Sequence, residues 1–385
     1  MRPWRYARRG KLHTTSHSLL ALYSVPPAAY IVAMNLMDYG YDEHCAEAFQ
    51  ALGRDDLEPA RVMAVNRNNY ELLCERGTPR GEPTGRMLFA AEDTQELPVV
   101  GDWVGVQLLN DDTFALVHEV LPRRTLLRRK DPGRNIEYQV LAANIDTAFC
   151  VQSADRDFNI HRLERYFVMV RDGGIEPVVL LSKMDLVDDA LRSELLDTVR
   201  SVAGGARCIT LSARTGEGVE EFRQGLCAAS TSCLLGSSGV GKSTLLNALL
   251  GAEVFATQEV READSRGRHT TTRRQLVRLD NGALLIDTPG MRELGNIGAE
   301  AGLAETFGDV QSLIAECRFS DCTHTKEKGC AVLAAIESGE LGEDRYEHYM
   351  KLQRESAYYQ RSYLERRQRD REFGRMCKSI MKGKK

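Results

Sequence analysis

The sequence predicts three dissimilar units in series: a small β-barrel, a doubly wound α/β domain built around a phosphate loop, and a compact helical unit organised by a metal. Three observations carry this. Short β-branched or aromatic runs broken by Gly, Pro, Asn and Asp fill residues 61–120. Apolar strands then alternate with helical segments up to about residue 300. Three cysteines and a histidine follow within the 14 residues from Cys317 to Cys330.

The 385 residues are 43% hydrophobic and 28% charged, with a net charge of −4. This is an ordinary globular composition, long enough for real cores and unlike a disordered chain or an integral membrane protein. Any basic surface must therefore be local. Residues 1–37 stand apart: no acidic residue precedes Asp38, and five basic residues lead into an uncharged stretch broken by Pro26 and Pro27. The expectation there is an extension, either an over-long start with translation beginning at Met34 or Met37, or a targeting segment. Residues 38–130 read as a short helical lead-in and then the barrel, with strands expected at Arg61–Glu75, Gly85–Ala91, Val99–Leu109 and Thr113–Val120. Pro122-Arg123-Arg124 and Arg128-Arg129-Lys130 close it with a basic edge, on a type of barrel that commonly binds oligonucleotides.

Residues 131–300 form the α/β unit. Its expected strands are Ile145–Val151, Pro177–Leu181, Cys208–Leu211, Ser232–Leu235 and Ala283–Ile286, with a helix over Ile160–Arg171 closed by Gly173-Gly174. Between a strand and a helix lies Gly236-Ser237-Ser238-Gly239-Val240-Gly241-Lys242-Ser243-Thr244. Its glycines let backbone N–H groups wrap a β-phosphate, Lys242 neutralises the β/γ oxygens, and the Ser243 hydroxyl ligates Mg²⁺. Asp287-Thr-Pro-Gly290 ends the last strand, where the aspartate can hold Mg²⁺ through water and the Gly290 N–H can contact a γ-phosphate. One of Thr270, Thr271 or Thr272, with Thr271 taken for the site, completes the Mg²⁺ shell. Upstream, Ser182-Lys183-Met184-Asp185 offers a carboxylate able to accept both N1–H and N2–H₂ of guanine, which adenine cannot supply. Ser212-Ala213-Arg214 can offer a backbone N–H to guanine O6. All lie at strand C-terminal ends, where such sheets bind ligands.

GTPases ordinarily run phosphate loop, switch threonine, D-x-x-G, N-K-x-D, S-A-K. Here the last two motifs come first, so the domain is a circularly permuted P-loop GTPase. At this point the chain resembles the RsgA family of GTPases that depend on the small ribosomal subunit. The resemblance runs from about Asp38 to the tail and includes Pro98-Val-Val-Gly-Asp-Trp-Val104, Leu121-Pro-Arg-Arg124, Ala143-Asn-Ile-Asp146, Gly267-Arg-His-Thr-Thr-Thr272 and the cysteine cluster. It departs from the family pattern at Ser182, where the family has Asn, and at Arg214, where Lys is commoner. It implies an OB-type barrel, binding of GTP and GDP, a late checkpoint in small-subunit maturation with release after hydrolysis, rRNA contact, a cytoplasmic location without a membrane, and a monomer.

Ras-like enzymes place a water-orienting Gln after the D-x-x-G glycine. Here that residue is Met291, so slow unassisted hydrolysis is expected, and His269 is the candidate catalytic residue that orients or deprotonates water. A loop of hydroxyls flanked by Arg266, Arg268, Arg273 and Arg274 would be ordered by rRNA phosphates. Cys317, Cys322, His324 and Cys330, in residues 301–345, suit one tetrahedral, structural Zn²⁺ with no open position. Residues 346–385 form a basic helical tail, with ten Lys/Arg against three Asp/Glu over 361–385. The competing function is a GTP-gated rRNA-binding module in which hydrolysis is slow or incidental.

Overall fold

The computed structural model describes residues 34–66, 69–91, 93–130, 138–250, 274–287 and 299–382. His269, Thr270–Thr272, Gly290 and Met291 lie outside them. After a helix α1 (Glu43–Gln50), capped by the Asp42 carboxylate accepting from the Cys45 N–H at 3.0 Å, come five barrel strands. These are β1 (Glu58–Val65), β2 (Tyr70–Leu73), β3 (Arg80–Pro83), β4 (Trp103–Leu109) and β5 (Phe114–Val120). They pair in the order β1-β2-β3-β5-β4, and β4 returns to β1 to close the barrel. Ala60, Val62, Leu72, Val104, Val106, Ala115 and Val117 fill its interior.

Two expectations for this unit are corrected. The run Arg61–Glu75 is two strands, turned where the Asn66 N–H donates to the Asn69 carbonyl at 2.8 Å. Gly85–Ala90 is a helix (α2) and not a strand: the Thr84 hydroxyl accepts from the Met87 N–H, a side-chain cap that outcompetes strand pairing. The basic edge is also engaged within the chain, Arg124 meeting Asp42, Arg129 Gln139 and Lys130 the Tyr359 ring. Arg123 forks onto both oxygens of buried Asp102 at 2.8 and 2.7 Å, and Arg128 reaches Asp172 at 3.1 Å while lying over the Tyr138 ring.

A hairpin, β6 (Leu126–Lys130) with β7 (Tyr138–Ala143), leads into the α/β unit. Its elements are β8 (Thr147–Ser153), α3 (Ile160–Asp172), β9 (Glu176–Ser182), α4 (Asp189–Ala203), β10 (Cys208–Thr210), α5 (Val219–Gln224), β11 (Thr231–Leu235), α6 (Lys242–Leu250), β12 (Gln275–Arg278) and β13 (Leu284–Asp287). Strands β10, β9, β8, β11 and β13 are parallel neighbours in that order, and β12 adds antiparallel to β13. The strands are apolar on both faces because helices cover both, as a parallel sheet requires. Strand β1 of the barrel pairs with β12 at Ala64↔Gln275, so barrel and α/β sheet form one continuous surface of strands. Buried Arg61 ties them again, donating to the Tyr39 carbonyl and to Thr231 Oγ1, the latter at 2.8 Å.

The C-terminal unit has α7 (Glu300–Thr306), α8 (Gly308–Ala315), α9 (Ala331–Ser338) and the long α10 (Glu343–Lys382). Leu303, Phe307, Val310, Val332, Ala335, Leu341, Tyr349 and Leu352 share a core with Val168 of α3. Helix α7 lies so close to α3 that a Cβ at Gly302 would run into the Val168 carbonyl. Among the described residues no helix is long and apolar enough to cross a membrane.

An ion network seals this contact. Arg345 donates to Glu164 Oε1 at 2.5 Å and to both oxygens of Asp309 at 2.6 and 2.9 Å. Burial alone would raise the pKa of Glu164, but hydrogen bonds from His348 and His161 and the charge of Arg345 outweigh it, so it falls below 4.5. Burial is likewise outweighed at Asp309, where Arg345 holds the pKa below 3.8. Folded pKa values below the unfolded ones mean stabilisation that is complete above about pH 4.5 and is lost as pH falls through the folded values. Replacing Arg345 with Ala leaves Glu164 buried without its cation, and we expect a loss of about 3 kcal/mol. Hydrogen exchange across residues 300–345 should rise in Arg345→Ala at pH 7, and in the parent protein only below about pH 4.5. Unchanged protection in the variant would show that the network does not hold the contact.

Candidate functional site

A parallel sheet gathers its strand-to-helix loops at one end, and Ser182–Asp185, Ser212–Arg214, the phosphate loop and the end of β13 at Asp287 lie there. Strand β11 lies between β8 and β13, and the phosphate loop leaves its C-terminal end. Gly239 and Gly241 take φ of 90° and 97°, a left-handed backbone that any L side chain would strain. Gly236 sits against Val151, where a Cβ would come within 2.8 Å of the carbonyl. Lys242 donates to the carbonyls of Gly236 and Ser237 at 2.6 and 2.7 Å, which holds its ammonium across the mouth of the loop. Ser243 and Thr244 occupy the first turn of α6, whose free N–H groups and positive dipole end face the loop.

Ser182 ends β9 and is buried. Its hydroxyl lies 2.6 Å from the Val240 carbonyl and 3.2 Å from that of Gln152. A hydroxyl carries one hydrogen, so the shorter contact is its donation: Ser182 straps β9 to the phosphate loop. Lys183 takes a left-handed φ of 60°, and its ammonium meets Asp155 at 2.8 Å. Burial would raise the Asp155 pKa, but the hydrogen bonds from Lys183 and Ser153 outweigh it and keep the carboxyl below its usual range. Met184 is buried, and Asp185 follows in a short 3-10 turn. The Ser212 hydroxyl donates to Asp185 Oδ1 at 2.7 Å and accepts from the Thr215 N–H. Ala213 packs against the apolar core beneath, and Arg214 lies 3.8 Å from Asp185 Oδ2. Asp185 thus has one oxygen oriented by Ser212, leaving acceptor capacity for a planar donor edge.

Asp287 ends β13, one strand over from the phosphate loop. Two residues unmarked by any motif join the site. Asp157, in the loop after β8, accepts from the Ser237 hydroxyl at 2.6 Å and from Arg162 at 2.8 Å, and Asp155 orients Lys183. Their signal was position: they follow a parallel strand at its carboxyl end.

A second centre lies in the C-terminal unit. Cys317 follows α8, Cys330 caps α9, and His324 takes a left-handed φ of 55° between them. Cys317 Sγ to Cys330 Sγ is 3.9 Å, His324 Nδ1 to the two sulfurs is 3.5 and 3.4 Å, and with Cys322 all four atoms lie within 4.8 Å of one another. Ligands at Zn–S and Zn–N bond lengths around a tetrahedral ion stand roughly 3.5–3.8 Å apart, so the four atoms fit one such ion. The Glu327 carboxylate gathers the N–H groups of Thr323, Thr325 and Lys326 at 2.9 Å each, shaping the loop around His324.

The RsgA GTPase family model matches residues 120–297. The chain is 45% identical to the small ribosomal subunit biogenesis GTPase RsgA of Opitutus terrae, over 88% of this chain and 95% of that one. It is 40% identical to the protein of the same name from Streptomyces avermitilis, over 88% and 90%. In structure it is similar to YjeQ from Thermotoga maritima, with TM-score 0.57 and 27% identity over 77% of this chain and 97% of that one. The fold is also that of YloQ, described as a circularly permuted GTPase, with TM-score 0.54 and 24% identity over 77% and 94%.

Replacing Ser182 with Ala removes the strap to Val240 and should cost about 1 kcal/mol, read as about fivefold weaker guanine-nucleotide binding. Equal dissociation constants for parent and variant would show that the hydroxyl does not support the loop. Stripping metal from the Cys317 centre should abolish hydrogen-exchange protection at Val332 and Ala335, since Cys330 anchors their helix; retained protection would mean that the helix does not depend on the ion.

Proposed function

Because this chain belongs to the RsgA family of GTPases, we propose that it hydrolyses GTP in late assembly of the small ribosomal subunit, is stimulated by that subunit and leaves it after hydrolysis. The observation that carries the reading is that the phosphate loop, strapped to β9 by Ser182, and the Asp185–Ser212 pair lie at the same end of the parallel sheet.

In this reading the backbone N–H groups from Ser238 to Thr244 hold the β-phosphate, Lys242 the β/γ oxygens, and Ser243 with Thr271 the Mg²⁺. Asp185 accepts from guanine N1–H and N2–H₂. A backbone N–H of Ser212–Arg214 donates to O6. Lys183 and Arg214 cover the base with their alkyl stems. Ser182 acts on the loop rather than on the base, so its departure from Asn falls on loop support. Asp287 and the Gly290 N–H sense the γ-phosphate. With Met291 unable to hold a water, His269 orients it once the subunit's rRNA orders residues 267–273. The Cys317, Cys322, His324, Cys330 centre holds one structural Zn²⁺, whose donor set of three thiolates and an imidazole suits that ion. The barrel of residues 38–130 and the tail of 346–385 contact rRNA phosphates, on either side of the GTPase unit of 131–300 and the zinc unit of 301–345. The factor acts as a cytoplasmic monomer.

Phosphate release from GTP, with ATP as control, measured with and without small ribosomal subunits, tests this. Release should be strongly stimulated by subunits, for GTP only, and His269→Ala should lower the stimulated rate about 100-fold or more. Subunit binding promoted by GTP without stimulated hydrolysis would establish the gated binding module instead. An unchanged rate in His269→Ala would remove that residue from the mechanism.

A further inference from the structure

Away from both centres, three potential ligands converge where α3 meets α10. His161 and Glu164 are one helical turn apart on α3, and His348 comes from α10. Glu164 Oε2 lies 3.1 Å from His161 Nδ1 and 2.6 Å from His348 Nδ1, and the two imidazole rings are 4.3 Å apart. The other carboxylate oxygen is fully engaged by Arg345, which is itself held by Asp309 and the Thr306 carbonyl, so Glu164 cannot rotate away. Glu164 is 1% and His348 7% exposed, while the His161 side chain is 45% exposed and opens the cluster to solvent.

We propose that His161, Glu164 and His348 form a second metal site, for a divalent transition ion of which Zn²⁺ is the preferred one, pinning helix α10 to helix α3. The donor set of two imidazole nitrogens and one carboxylate oxygen is that of three-ligand Zn²⁺ sites, with a water taking the fourth position on the open His161 side. The i,i+3 spacing on α3 places two ligands on one face without any backbone adjustment. Arg345 on Glu164 is the kind of outer contact that fixes a ligating carboxylate. Formal charge agrees: Glu164 and Asp309 carry two negative charges against the single positive charge of Arg345, and the neighbouring Arg165–Glu355 pair is neutral.

The 2.6 Å contact is a hydrogen bond, tighter than two ligands around one tetrahedral ion, which stand roughly 3.3 Å apart. Loading the site therefore requires the neutral His348 ring with its hydrogen on Nε2, which frees Nδ1 for the ion, and moves that ring outward by somewhat more than half an ångström. The consequence is mechanical: the loop before α3 carries Asp157, which holds Ser237 of the phosphate loop, so an ion here fixes the C-terminal helix to the element that touches the phosphate loop.

The test uses the full, untagged chain equilibrated with buffered free Zn²⁺, and the same experiment with Co²⁺. About two equivalents of Zn²⁺ should bind the parent protein, and His161→Ala should lower affinity at one of them by at least roughly tenfold, because losing a ligand costs no less than losing its outer support. The second Co²⁺ equivalent should add weak ligand-field absorption without thiolate-to-metal charge transfer. His161 is half exposed and its removal leaves the core intact; His348→Gln, which keeps a polar group facing Glu164, should give the same loss. Binding of only one equivalent by the parent overturns the proposal. So does retention of two by both variants, or a thiolate signature on both equivalents.

Discussion

Everything in this molecule is arranged around the parallel pairing of β11 between β8 and β13. A parallel strand delivers its following loop to the same end of the sheet as its neighbours. Once β11 is central, the loops after β8, β9 and β10 and the end of β13 gather at the same end as the phosphate loop. Asp155 and Asp157, Lys183 and Asp185, Ser212 and Asp287 are gathered by that rule and not by proximity in the chain. Permutation leaves the rule untouched. It changes only where the chain enters and leaves, and so which units flank the site.

Those flanking units are joined by different physics. The barrel is annealed edge to edge, β1 onto β12, with Arg61 bonded across the seam to Thr231. Strand pairing satisfies an edge that would otherwise be open to another chain. The C-terminal unit is packed face to face on α3 instead, through Val168, Leu303 and Phe307 and the close approach at Gly302.

Much of this was legible in the sequence because it rests on local chemistry. The phosphate loop needs glycines at fixed offsets, the ligand cluster needs cysteines in a short span, and buried parallel strands need unbroken apolar runs; all three leave marks in a single stretch of chain. The missed features lack such marks. Strand β3 is Arg-Gly-Glu-Pro, with no apolar run, and is held by pairing to β2 and β5. Helix α2 is decided by one hydroxyl on Thr84. Arg123 reads as surface charge until Asp102 is seen buried beneath it, and Asp157 reads as a loop residue until Ser237 meets it. His269, Thr271 and Gly290 were marked by the sequence and lie outside the described residues. Except at Thr84, whose partner Met87 is three residues on, the deciding partner is distant in sequence.

The contact with α3 also constrains how nucleotide state can reach the C-terminal unit. Detaching that unit would expose Val168, Leu303 and Phe307, each worth about 1.5–3 kcal/mol of buried apolar surface. It would also strand Glu164, 1% exposed, without Arg345. The sum is of the order of a whole domain's stability, more than the 1–3 kcal/mol by which one site typically biases another. Helix α3 and the C-terminal unit therefore behave as one body, and a signal that reaches one reaches both. The phosphate loop already touches that body through Ser237 and Asp157, while Arg162 bonds Asp157 to the first turn of α3. Among the described residues, a rearrangement of the loop around a γ-phosphate has a direct mechanical route through this pair of contacts, and it arrives at the base of the basic helix α10 without any interface having to open.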